Sequence, residues 1–276
     1  MTLIAILMGT LAAGIGSVWL AALLSFGILA RYTQHMLSLA AGALLATAFM
    51  HLLPEAFESQ SGAKELFATL LVGLVFFFLL DKAELWHHGH EHHGGEHHGP
   101  EVAAHAHHDH AEHVHTAHSQ HGHADVKTGG WAVLAGDSVH AFGDGILIAS
   151  AFMADLRLGV VAALAVLVHE VPHHMGDLVV LRQTSNNRRA ALVKVSLAGA
   201  VTALGGVVGY ALVDQLYDYL PFFLIMASSS FIYVALADLI PQLQKRVTAR
   251  ETVAQIAWLA IGIGLVTLIS GISHHH

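Results

Sequence analysis

Eight runs of roughly twenty mainly apolar residues follow one another along this chain of 276 residues, at approximately 3–28, 36–57, 66–85, 130–153, 159–181, 191–213, 221–243 and 252–272. An α-helix rises about 1.5 Å per residue, so such a run crosses the ~30 Å hydrocarbon core of a bilayer. Inside that solvent the backbone must satisfy its own hydrogen bonds, and segments of this length do so as helices. The expected fold is therefore all-α, a polytopic membrane protein of eight spans. Composition agrees, with 55% apolar and 12% charged residues and a mean hydropathy of +0.59, whereas soluble domains run near a quarter charged. The formal charge of −8 gives no nucleic-acid reading, since the acidic residues are scattered and most basic ones sit at helix ends. Cysteine is absent, which excludes disulfides and thiolate metal sites.

Details of the runs refine this layout. The third ends in Asp81, Lys82 and Glu84, which must reach the interface. The first has no Lys or Arg before Arg31, so it lacks the basic start of a cleaved signal peptide and is expected to be retained. With both termini extracytoplasmic, the cytoplasmic side collects Arg31, Lys82, Lys127, Arg182, Arg188, Arg189, Lys194, Lys245, Arg246 and Arg250, against Lys64 and Arg157 outside. That asymmetry is the expected positive-inside bias.

Between the third and fourth runs the composition breaks. Sixteen of the 25 His fall between His87 and His123, among Gly, Ala, Glu and Asp. Such a stretch buries no core, and residues 86–126 are expected to form a disordered cytoplasmic loop. Imidazole is a common zinc ligand, so the loop reads as a weak multivalent metal trap, with a solvated or pH-sensitive spacer as the alternative. The chain thus divides into helices one to three (1–85), the loop (86–126), helices four to eight (127–273) and a His tail (274–276), natural or a tag remnant. An echo links the halves: His51-Leu52-Leu53-Pro54-Glu55 closes the second run and Asp238-Leu239-Ile240-Pro241-Gln242 the seventh. In opposed helices this is the mark of a 3+2+3 inverted repeat, an architecture of secondary transporters.

Charged groups lie where none should. The fifth run carries His169-Glu170-Val171-Pro172-His173-His174-Met175-Gly176-Asp177, and each ionisable group at a helix centre costs roughly 2.5 to 3.5 kcal/mol on insertion scales. His169, His173 and Asp177 are spaced i, i+4 and i+8, with Glu170 and His174 on an adjacent stripe; on the fourth run Asp137, His140 and Asp144 are spaced i, i+3 and i+7. Two facing helices would present these imidazoles and carboxylates to one ion at mid-membrane depth. Pro172 removes a backbone hydrogen bond, and Gly143 and Gly145 allow close approach or bending. Interhelical hydrogen bonding would explain one such group but not so many on two consecutive spans.

His140-Ala141-Phe142-Gly143-Asp144-Gly145 followed by His169 to Asp177 resembles the paired helix signatures of the ZIP (Zrt/Irt-like) metal transporters, HNxxDG and HExPHExGD. His51 to Ala56, Phe231-Ile232-Tyr233-Val234-Ala235, the span count and the His-rich loop extend the resemblance over essentially the whole chain. It implies uptake of zinc, or of cadmium, iron or manganese, into the cytoplasm, with the ion as cargo and no prosthetic group. It also implies a two-metal region between helices four and five and an elevator-like movement. The principal set would be His140, Asp144, His169 and His173, with His51 leaning in and Glu170 beside it, and with Asp144 and His173 shared with a second position. Two departures stand out: Ala141 replaces the family's Asn and His174 its Glu. The expectation is one strong site and a weakened or absent second one, with His174 and Asp177 as exit-side ligands.

Three other readings are carried forward. His169-Glu170-Val171-Pro172-His173 also fits HExxH, the zinc peptidase spacing, though Pro172 and the further ligands suit a conduit better. A cation-diffusion-type exporter would share the His-rich loop but usually has six spans and a terminal cytoplasmic domain. A non-transporting metal sensor is the third. The partners expected are divalent ions and the lipid bilayer, with no nucleic acid, and the resemblance implies a homodimer. The small-residue run Gly199 to Gly209 invites close packing within or between subunits. The compact chain suits a bacterial inner membrane, and His and carboxylate ligands do not select among zinc, cadmium, iron and cobalt.

Overall fold

The computed structural model describes residues 1–25, 33–89, 126–184, 188–244 and 248–272, and among them every regular element is helical. Helix α1 (Thr2–Leu11) runs through a π-helical turn, Ala12–Gly16, into α2 (Ser17–Ser25). Helix α3 (Thr33–Thr47) continues through the π turn Ala48–Leu52 into α4 (Leu53–Phe57). Then come α5 (Ala63–Gly89), α6 (Val126–Ala154), α7 (Leu156–Thr184) and α8 (Arg188–Gln215). Helix α9 (Leu220–Tyr233) leads through the π turn Val234–Leu239 into α10 (Ile240–Leu243), and α11 (Ala249–Ile272) completes the bundle. Most of the His-rich segment (90–125) and the tail (273–276) lie outside the described residues.

Among the described residues, seven stretches are long and apolar enough to cross a membrane: Thr2–Leu24, Thr33–Phe57, Ala63–Lys82, Leu156–Leu178, Arg189–Gln215, Tyr217–Leu243 and Ala249–Ile269. This is an integral membrane protein. Helix α6 occupies the place of the expected fourth span and is 29 residues long.

The two echoing sequences adopt the same local structure. Pro54 has no N–H to give to the carbonyl of Met50, nor Pro241 to that of Ala237, and in both places a π turn precedes a short helix with the proline in its first turn. In α7, by contrast, the helix runs unbroken through Pro172.

Helices α6 and α7 pack on each other at the centre. Helix α6 also packs on α8 and α9, and α7 on α2 and α3; α5 joins α9, and α11 joins α3. The core is built from Leu, Ile and many alanines, among them Ala40, Ala41, Leu44, Leu52, Ile148, Val166, Leu224 and Phe231. Around it, Trp19, Leu23, Leu71, Phe76, Val253 and Leu268 point outward, as lipid-facing residues do. Glycine brings α6 against α8: a Cβ on Gly145 would run into the backbone of Thr202 and Gly206, and one on Gly205 into that of Phe142. Gly143 faces open space. The small-residue run Gly199 to Gly209 is thus used inside the chain, with Gly199 against Gly14, Gly206 against Thr10 and Gly209 against Ile146. At the end of the third span, Tyr233 donates to Asp81 (3.1 Å) and the Lys82 ammonium lies 5.8 Å from the Phe78 ring centre.

Candidate metal centre

Side chains three and four apart on a helix share a face, and in the packed pair α6 and α7 those faces meet. His140 Nε2 lies 3.4 Å from His169 Nε2, 3.4 Å from Glu170 Oε1 and 3.8 Å from Asp144 Oδ2. His169 Nε2 in turn lies 3.4 Å from Asp144 Oδ2 and 3.1 Å from Glu170 Oε1. One ligand atom from each of these four residues falls within 4.8 Å of all the others. His169 is oriented from behind, with Nδ1 3.3 Å from the Ala165 carbonyl oxygen. A carbonyl only accepts, so Nδ1 carries the proton and Nε2 presents its lone pair.

Two further groups lie along the same pair of helices. Asp137, Glu170 and His174 form one, with His174 Nε2 3.2 Å from Glu170 Oε2 and 3.7 Å from Asp137 Oδ1. Asp137, His173 and Asp177 form the other, with His173 Nδ1 3.8 Å from Asp177 Oδ2. Glu170 therefore links the first group to the second, one oxygen to each, and Asp137 links the second to the third.

Burial makes this arrangement costly without a cation. Asp137, Asp144, Glu170 and His169 are each 2–3% exposed and His174 is fully buried, and among the described residues the close ion pairs of the site join imidazoles to carboxylates. Both Asp137 oxygens, Asp144 Oδ2, Glu170 Oε1 and His174 Nε2 are buried and make no hydrogen bond. His140 Nε2 and His169 Nε2 are aligned as a hydrogen bond, whereas the short separations of the atoms just named, without such alignment, are what lone pairs give when they converge on a common point. Two imidazoles and two carboxylates at one such point suit a borderline divalent cation such as zinc.

The expected residues are redistributed in one respect. His140, Asp144, His169 and Glu170 come together, but His173 groups with Asp137 and Asp177; its ring stacks on His140 with centroids 5.9 Å apart. The four-residue step from His169 to His173 climbs about 6 Å along the helix axis, which puts the two imidazoles at different levels. His51 sits in the π turn Ala48–Leu52 and belongs to none of the three groups. Asp137 belongs to two of them; helical spacing had put it on one face with His140 and Asp144, while the ligand set implied by the family resemblance omits it. Ser17, whose Oγ lies 3.0 Å from His174 Nδ1, had no signal in the sequence.

The sequence model described as ZIP Zinc transporter matches residues 1–270. The chain belongs to the ZIP zinc transporter family. Its relatives include zinc transporter ZIP10 of Danio rerio, 30% identical over 55% of this chain and 19% of that protein. Zinc transporter ZIP13 of Danio rerio is 32% identical over 52% of this chain and 42% of that protein. The zinc transporter ZIP13 homolog of Drosophila melanogaster is 26% identical over 87% of this chain and 78% of its own length. The chain thus spans less than half the length of the first two relatives. The HExxH spacing of α7 belongs to a transporter family and not to a peptidase. Relative to the ZIP signatures, Ala141 is buried at 2% exposure and offers no ligand, while His174 brings a nitrogen to the second group.

Proposed function

We propose that this ZIP-family protein carries divalent cations, zinc foremost and also cadmium, iron or manganese, into the cytoplasm between α6 and α7. The observation that carries the proposal is the sharing of Glu170 and Asp137 among three ligand groups. An ion in the first group already touches a ligand of the second, and one in the second touches a ligand of the third. It can therefore exchange partial shells without being stripped. With α7 running inward, His51 and Glu55 mark the outer approach and His140, Asp144, His169 and Glu170 form the first stop. Asp137 and His174 come next, His173 and Asp177 last, and the His-rich segment receives the ion. Imidazole and carboxylate ligands bind only when deprotonated, so transport is pH-sensitive.

For the frame we infer eight spans, with α6 as the fourth, both termini extracytoplasmic and a 3+2+3 inverted repeat. Packing supports the repeat. Exchanging spans one to three with six to eight, and α6 with α7, turns the pair α5 and α9 into α11 and α3, the pair α2 and α7 into α8 and α6, and the pair α3 and α7 into α9 and α6, all of which are in contact. A bacterial inner membrane is the setting we assign, supported by short connections such as 58–62. The family resemblance supports a homodimer.

The test is zinc entry into proteoliposomes of oriented protein loaded with a fluorescent zinc reporter. Wild type is compared with a His140→Ala/His173→Ala variant and with a deletion of residues 87–123. We expect flux to be lost in the double variant and retained in the deletion. Equal flux in all three would overturn the path.

A further inference from the structure

His174 is the chain's own departure from the family pattern, and a ligand imidazole is useful only if the correct nitrogen carries the proton. A neutral ring holds one proton. On Nε2 it would point at Glu170 Oε2, 3.2 Å away, as a hydrogen bond that removes the nitrogen as a ligand and occupies a carboxylate lone pair. On Nδ1 it would leave Nε2 bare toward Asp137 and Glu170. The neighbouring carboxylate alone favours the first arrangement.

Ser17 reverses that preference. Its Oγ lies 2.7 Å from the Gly14 carbonyl oxygen and 3.0 Å from His174 Nδ1. A hydroxyl has one hydrogen and a carbonyl only accepts, so both contacts are satisfied in one way: Ser17 donates to Gly14 and accepts from Nδ1–H. Ser17 and His174 are both fully buried, which limits replacement of either bond by water. Helix α2 is held at this level by Val18, Ala21 and Ala22, which cluster with Val171, Met175 and Leu178 on α7.

We infer that Ser17, on the first span, is a positioning residue that locks His174 in the Nδ1–H tautomer and so makes the Asp137–Glu170–His174 group a nitrogen-bearing cation position. Such a position favours zinc over manganese, which carboxylate and water oxygens satisfy. The inference rests on the reading of these groups as cargo ligands. It assigns the first span a part in metal recognition that lies outside the two signature helices.

The experiment uses the full chain in lipid nanodiscs with 15N-labelled histidine. Ring-nitrogen shifts distinguish the neutral tautomers, and the His174 signal is identified by its loss in His174→Gln. In metal-free protein we expect Nδ1–H in the wild type and in Ser17→Thr, which keeps the hydroxyl, and Nε2–H in Ser17→Ala. Zinc affinity of Ser17→Ala should fall by about tenfold, the usual scale for removing a partner of a metal-ligating His, with manganese affinity changed by less than about twofold. A wild-type His174 protonated on Nε2 would overturn the inference, as would a Ser17→Ala protein that keeps either the wild-type tautomer or the wild-type zinc affinity. The metal-free spectrum of the wild type decides the tautomer even where a variant does not fold. Failure of the wild type to move zinc would count against the transport reading alone.

Discussion

Glu170 gives one carboxylate oxygen to each of two ligand groups, so its charge serves both. Replacing it with Gln removes a buried negative charge from beside Asp144 and Asp137 while keeping the shape. Buried charge without a counter-ion is destabilising, so metal-free Glu170→Gln should melt at or above the wild-type temperature. Its response to zinc should collapse. A ligand at a hundred times its dissociation constant stabilises by about 2.7 kcal/mol, and we expect less than about 1 kcal/mol to remain, measured by thermal melting in detergent with and without zinc. A variant that keeps the full zinc shift would show that Glu170 is not a ligand. At this scale much of the site was legible: helical spacing alone put His140 with Asp144, and the HExxHH run placed His169 and Glu170. The split between His169 and His173 was not, because spacing gives a shared face but not which level of the facing helix each residue meets. Ser17 was invisible, since its role depends on how the first span docks against the fifth.

At the scale of elements, the approach of α6 to α8 governs where Asp137, His140 and Asp144 stand. Gly145 and Gly143 are two residues apart and differ in what a methyl group would meet: backbone of Thr202 and Gly206 in one case, open space in the other. Gly145→Ala should destabilise by about 1 to 3 kcal/mol through overpacking. Gly143→Ala should be neutral or stabilising by up to about 1 kcal/mol, the helix-propensity gain. Thermal melting of the pair checks this, and similar losses for both would mean that α6 does not approach α8 through Gly145. Helix positions were legible to a few residues, as in the expected span 159–181 against the observed Leu156–Thr184, because apolar length is itself the physical requirement. The π turns were not, although Pro54 and Pro241 stood at the places where the backbone register changes.

At the scale of the molecule, the choice of packing partners, such as α3 with α11 or α5 with α9, leaves almost no trace in hydropathy, because lipid tails are as apolar as leucine. Only the small residues at close approaches hint at it. The ionisable residues carry the opposite signal: α6 and α7 hold Asp137, His140, Asp144, His169, Glu170, His173, His174 and Asp177 between them, and the three ligand groups are built from these two helices alone. Asp137, Asp144, Glu170 and Asp177 occur together in the three linked groups, and their sharing bears on how many ions the path holds. With all four carboxylates ionised, one dication leaves two negative charges uncompensated, whereas two dications bring the interior to electroneutrality. On the proposed path a second ion would then be drawn in by what the first leaves unbalanced, and its arrival would loosen the first from the ligands they share. Initial zinc flux should therefore rise more steeply than in proportion to concentration at the dilute end, with a log–log slope between about 1 and 2. A slope of 1 throughout would mean that ions pass singly, each leaving the path charged behind it.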